Sequence, residues 1–180
     1  RPSSDQTLDE LEGIVLVNDL DKPLGRSESK LDPTGIILHS TVSALGDSTI
    51  RTLGKRGLSY HFVIEKDGSI RQLTKIEKQS YHDPGSNSNM IGIALVNLSY
   101  DIKHAKDPST WIEGPKTDGS VTKWDPIPAV QMAAMKKLIA SLIKKYPGIV
   151  KIRPHSGTAG GKKSTKQDPG PLIPKSIYIG

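Results

Sequence analysis

This sequence predicts a single α/β domain (mixed α+β), with a central mixed β-sheet flanked by helices. Three observations carry the expectation. Short apolar runs of strand character fill the first half of the chain, at 14–17, 36–38, 62–64 and 91–98. One long amphipathic stretch follows at 128–146, and a last apolar run, 149–152, comes after it. Strands, then one long helix, then a strand suit a sheet with helices on its faces better than a bundle or a barrel. With 180 residues the chain is long enough to bury a core without staples.

Residues 1–33 are read as an N-terminal extension packed on or preceding a domain that spans 34–180. The first twelve are polar, a tail with a short Leu8/Leu11 pair. Gly13–Val17 is a short strand, and 18–33, dense in Asp, Ser, Pro and Gly, is loop. Gly35–His39 is a continuously apolar strand ending on a histidine. A short helix through Arg51 and Lys55 is capped by Asp47 or Ser48 and closed by Gly57.

Tyr60–Glu65 and Ile70–Leu73 flank Asp67-Gly68, a hairpin signal whose type I′ turn needs φ > 0. Alternation along the first arm puts Tyr60, Phe62 and Ile64 on one face and His61, Val63 and Glu65 on the other. Residues 78–89 form a loop holding His82. The run 91–98 is the most apolar strand and hence the sheet centre, and Gly92 within it implies close approach of another backbone. Residues 99–126 form a long irregular segment with isolated Trp111 and Trp124, suited to the rim of a groove. In the helix, Met135, Leu138, Ile139, Leu142, Ile143 and Tyr146 make one apolar stripe, with lysines on the opposite side.

Composition narrows the chemistry. The absence of cysteine excludes disulfides and thiolate metal ligands, so any metal site is built from His, Asp and Glu. The net charge of +6 favours an anionic partner, and no apolar run approaches the ~20 residues of a membrane span. The stretch Gly157–Ser164 looks like a phosphate loop, but Gly157 and Gly161 enclose three residues where that motif needs four, and no apolar helix follows. Nucleic-acid binding therefore has no motif behind it, and the middle of this stretch is expected to be a solvated connector.

His39 and His155 each stand at the C-terminal end of a strand, where adjacent parallel strands bring such residues side by side. Asp168 lies in the polar loop that begins at His155. Two imidazoles and a carboxylate form a catalytic zinc set that leaves one tetrahedral position for water. Lys166, two residues before Asp168, shares its side of an extended segment.

The pieces IILHSTVS (36–43), SYHFVIEKDGSIRQL (59–73), NMIGIALVNL (89–98), the helix beginning near Gln131, His155 and KQDPGP (166–171) occur in a recognisable order. In them the chain resembles the zinc-dependent N-acetylmuramoyl-L-alanine amidases of the second type, whose fold is shared by phage lysozyme-type amidases and peptidoglycan recognition proteins. The resemblance covers about residues 34–172. It implies that His39, His155 and Asp168 hold one zinc ion per chain, with Tyr60 and Lys166 lining the same site and His82 on the substrate groove. The implied reaction is attack by zinc-activated water on the amide between N-acetylmuramic acid and L-alanine. Lys166 would stabilise the oxyanion, and Tyr60 would hydrogen-bond the water or the oxyanion.

Where some relatives carry a glutamate suited to act as general base, this chain has Ala94. A peptidoglycan-binding module without hydrolysis is the alternative, though members that only bind usually lack a zinc ligand. The expected protein is a monomer with peptidoglycan or muropeptide as its substrate. The basic charge and the start on Arg1 point to a wall-directed enzyme, secreted, periplasmic or a phage lysin, over a cytosolic recycling role.

Overall fold

A computed structural model describes residues 6–43, 46–157 and 166–180. The phosphate-loop look-alike lies outside the described residues from 158 onward. Among the described residues, ten strands and two α-helices follow one another: β1 (Leu16–Asn18), β2 (Arg26–Lys30), β3 (Gly35–Ser40), α1 (Gly46–Arg56), β4 (Phe62–Ile64), β5 (Ile70–Gln72), β6 (Lys78–Ser80), β7 (Met90–Leu95), β8 (Ile112–Pro115), β9 (Val121–Trp124), α2 (Ala129–Lys145) and β10 (Lys151–Pro154). Six of the strands form one sheet in the order β1-β5-β4-β7-β3-β10. The neighbours β4, β7, β3 and β10 run parallel, whereas β5 is antiparallel to β4 and carries β1 along with it. The sheet is mixed, as the order of apolar runs implies.

Each face of the sheet is covered by one helix. Ile36 and Leu38 of β3, Phe62 and Ile64 of β4, and Ile91 and Ile93 of β7 turn to the face under α2. There they meet the stripe of Met135, Leu138, Ile139 and Leu142. The stripe is apolar at i, i+3, i+4 and i+7, so the helix forms because one side of it is buried. Gln131 in its first turn is fully buried and donates through Nε2 to the carbonyls of Ile64 and Val96. The other face is smaller: Ile50 and Leu53 of α1 cover Val63, Leu73, Ala94 and Val96.

Several local expectations give way. Residues 18–33, expected to be loop, hold β2, which pairs with β6, and the buried Leu20 and Leu31; Leu11 is buried as well, and β1 forms a sheet edge. The Asp9 carboxylate accepts from Gln72 Nε2 and the Ile76 amide, so the polar start is tied down as well. The hairpin between β4 and β5 exists, but its turn is not type I′. Only Gly68 there has positive φ (88°), and its amide bonds the Glu65 carbonyl. The segment 99–126 contains the antiparallel hairpin β8–β9, with Trp124 buried and bonded through Nε1 to the Gly114 carbonyl.

Candidate active site

The site forms at the C-terminal ends of β3 and β10. Parallel pairing sets Pro154 beside Leu38, so the next residues, His155 and His39, lie together with ring centroids 4.3 Å apart. Asp168 reaches them from the returning loop. Its Oδ2 accepts the Ser40 amide at 3.2 Å, and its carbonyl accepts the Ser156 amide at 3.0 Å, which ties the loop to both strand ends. His155 Nδ1 is 3.0 Å from Asp168 Oδ2, and His39 Nδ1 is 3.6 Å from the same oxygen.

One ligand atom from each of the three side chains lies within 4.8 Å of the others. A tetrahedral zinc with bonds of ~2.0–2.1 Å needs its ligand atoms roughly 3.4 Å apart. The two nitrogen–oxygen separations bracket that value, and the set of two imidazoles and a carboxylate is one zinc accepts, so the residues fit the ion. Burial alone would push the Asp168 carboxyl up. A hydrogen bond from His155, with the His39 ring close by, outweighs it and holds the group well below the usual carboxylate range. Burial lowers the His39 imidazole, which favours the neutral ring a metal requires.

A groove that reaches Asp168 runs in two lobes that share Val42, Leu98 and Asp101. One lobe, of about 630 Å³, is lined by Tyr100, Lys166, Gln167 and Asp168. The other, of about 530 Å³, runs along α1 past Thr52, Arg56 and Tyr60. The first part of segment 99–126 thus does form a rim. Gln167 bonds Thr117 through both ends of its amide, which fastens the β8–β9 hairpin to the Asp168 loop.

Tyr60 stands in the α1 lobe with its ring 4.8 Å from that of His39. The strict alternation expected for this arm fails because β4 starts only at Phe62. Tyr60 packs with Val63 and Leu73 and not with Phe62 and Ile64. His61 is fully buried and does not reach the groove. Its Nε2 bonds the Lys78 carbonyl at 2.7 Å, and its Nδ1 accepts the Gly92 amide at 3.0 Å. Lys166 is exposed on the groove lining beside Asp168.

His82, expected on the substrate groove, is placed elsewhere. It is 8% exposed and sits behind His39, with Nδ1 3.0 Å from His39 Nε2 and Nε2 3.1 Å from the Met90 carbonyl. What closely approaches Gly92 is therefore this ring and not a backbone, since a Cβ at Gly92 would lie 2.7 Å from His82 Cγ. Asp83, which no sequence signal singles out, is 1% exposed with Oδ1 3.4 Å from His155 Nε2. Ala94 pairs in register with His39 and lies in the apolar cluster under α1, so that strand offers no carboxylate to the site.

Two imidazoles and a carboxylate gathered at the C-terminal ends of parallel strands, beside a two-lobed groove, are a set that could hold a metal ion in a hydrolase. The chain belongs to the N-acetylmuramoyl-L-alanine amidase family, whose profile matches residues 29–171. It is an amidase acting on peptidoglycan, at the bond between N-acetylmuramic acid and L-alanine.

Solved structures agree on the fold. The endolysin N-acetylmuramoyl-L-alanine amidase LysCS from Clostridium intestinale is 24% identical with a TM-score of 0.65, covering 93% of each chain. The amidase AmiD from E. coli, solved in complex with the substrate anhydro-N-acetylmuramic acid-L-Ala-D-gamma-Glu-L-Lys, is 22% identical with a TM-score of 0.60. That match covers 84% of this chain and 58% of that one. Drosophila peptidoglycan recognition protein SA is 18% identical, with a TM-score of 0.55 over 86% of this chain and 83% of its own. No curated protein matches the chain.

Proposed function

We propose that the protein hydrolyses the muramoyl–alanine amide with one zinc ion held by His39, His155 and Asp168, Tyr60 and Lys166 acting on the substrate. The convergence of the three donors on one point, with Asp168 on the groove lining, supports this reading. Held by these three side chains, a zinc ion would supply a Lewis acid and would lower the pKa of a water molecule to about 7. The chain's own groups do the rest. Burial, with the Asp168 charge adding to it, pushes the Tyr60 hydroxyl up, so the phenol stays protonated and donates to the carbonyl oxygen as charge develops there. The Lys166 ammonium, on the opposite lobe, lends positive charge to the same oxygen.

The scissile bond joins a sugar-borne lactyl group to a peptide, and the groove has one lobe for each. The α1 lobe carries the Arg56 guanidinium, which suits the carboxylate of an acidic stem-peptide residue such as the glutamate in the AmiD ligand. The net charge of +6 suits an anionic wall, and a wall-directed monomer is the working form. No helix among the described residues is long and apolar enough to cross a membrane.

The test is digestion of purified peptidoglycan followed by labelling of new amino termini. L-Alanine termini should appear, vanish after chelation and return with zinc. New sugar reducing ends without L-alanine termini, from metal-loaded protein, would overturn the reading.

A further inference from the structure

We infer that His82 and Asp83, adjacent in the loop between β6 and β7, act together as a clamp that orients both metal-binding histidines. The inference rests on the reading that His39, His155 and Asp168 hold the metal. Both histidines turn Nδ1 toward Asp168 and Nε2 away from it, and each Nε2 meets one member of the pair. His39 Nε2 is 3.0 Å from His82 Nδ1, and His155 Nε2 is 3.4 Å from Asp83 Oδ1.

The hydrogen positions follow from what each partner can do. The Met90 carbonyl only accepts, so the His82 nitrogen 3.1 Å from it, Nε2, carries a proton. A neutral His82 then has a bare Nδ1, which must accept from His39 Nε2–H. His39 is thereby fixed in the tautomer whose Nδ1 lone pair faces Asp168, the one a metal needs. On the other side, the Asp83 carboxylate, 1% exposed and 3.4 Å from His155 Nε2, is placed to take the proton of that nitrogen when Nδ1 turns its lone pair to the metal. Asp83 Oδ2 has no hydrogen-bond partner among the described residues. A carboxylate buried at that cost needs compensation, which His155 offers. Outer partners of this kind fix ring orientation and raise ligand basicity.

The pair is itself held rigid. Asn87 Oδ1 accepts both the His82 and the Asp83 amides, at 3.0 and 2.9 Å. Below, Gly92 leaves the space the His82 ring occupies, for a Cβ there would come within 3.0 Å of its Cγ, Cδ2 and Nδ1. Neither His82 nor Asp83 lines a lobe of the groove, so both are positioning residues.

Two measurements test the clamp, neither of them turnover. In long-range ¹H–¹⁵N spectra of the metal-free wild type, His39 should show the Nε2–H tautomer, and an Nδ1–H tautomer overturns the proposal even if no variant folds. In zinc competition against a chelator, His82→Ala and Asp83→Ala should each bind about 10–100-fold more weakly. His82→Asn and Asp83→Asn, which keep an acceptor oxygen, should recover most of that affinity. Wild-type affinity in both alanine variants, or equal loss in the alanine and asparagine variants, overturns the clamp. A wild type that binds no zinc sinks the metal reading instead.

Discussion

Lowering the pH should unfold this protein partly through His61, whose environment leaves no room for a second proton. The ring is fully buried, its Nε2–H donates to the Lys78 carbonyl, and its Nδ1 accepts the Gly92 amide. Protonation would set an N–H against an N–H in the middle of the sheet. Burial lowers the His61 pKa from 6.5 to about 4, with the Lys78 carbonyl opposing only in part. Because the folded value lies below the unfolded one, the unfolded chain takes up the proton first as the pH falls. The stabilisation is complete above about pH 6.5 and shrinks by ~1.4 kcal/mol per pH unit down to about pH 4. The total is about 3 kcal/mol, a large share of the ~5–15 kcal/mol that holds a domain of this kind together. The assay is urea denaturation of the chelator-treated protein across that range, wild type against His61→Gln. His39 and His82, which burial also holds neutral, titrate in both proteins and cancel in the difference. The stability difference should narrow by about 3 kcal/mol between about pH 7 and pH 4. A difference that stays constant with pH would refute the argument.

Other perturbations address the site directly. His39→Ala and Asp168→Ala should lose bound zinc and the release of L-alanine termini while keeping their far-ultraviolet circular dichroism. Full zinc occupancy in elemental analysis would remove that residue from the ligand set. Lys166→Ala should keep its zinc and lose about 10²–10³-fold in kcat, the scale for one oxyanion donor, and normal turnover would end the role assigned to it. Arg56→Ala should raise KM several-fold for stems with a free glutamate carboxylate and leave amidated stems alone. An equal rise for both would mean that charge is not what Arg56 reads. Val42, a β-branched residue at φ 50° where the two lobes meet, holds a conformation costing roughly 1–2 kcal/mol. Val42→Asn should raise the melting temperature by a few degrees, and no change would show that the strain is absent.

How much of this was legible in the sequence depended on whether the signal was local. The β3, β4, β7 and α2 segments announce themselves because their apolar residues are buried by regular structure, and regular structure has a period. By contrast β2, Arg-Ser-Glu-Ser-Lys, is polar and pairs only with the three-residue β6, so nothing in its pattern separates it from loop. The hairpin β8–β9 is short and mostly exposed, yet it carried a usable signal, Asp118-Gly119 with φ 86° at the glycine, between Ile112 and Val121. Residues 11–33 were underread for the same reason. Leu11, Leu20 and Leu31 are single apolar residues spaced along polar chain, and only the folded sheet shows that each one is core.

The site divides along the same line. That His39 and His155 end strands was readable, and parallel pairing of those strands is enough to bring the two rings together. The outer partners lack any such rule. His82 and Asp83 sit in an irregular loop, and their place behind His39 and His155 depends on the loop folding back over β7. One residue did register that packing. Gly92 interrupts the most apolar strand of the chain, and a glycine there weakens a strand unless something must lie against it. The sequence could say that something came close to Gly92, but not that it was an imidazole. The missing side chain on β7 is the space taken by the ring that stands 3.0 Å behind His39.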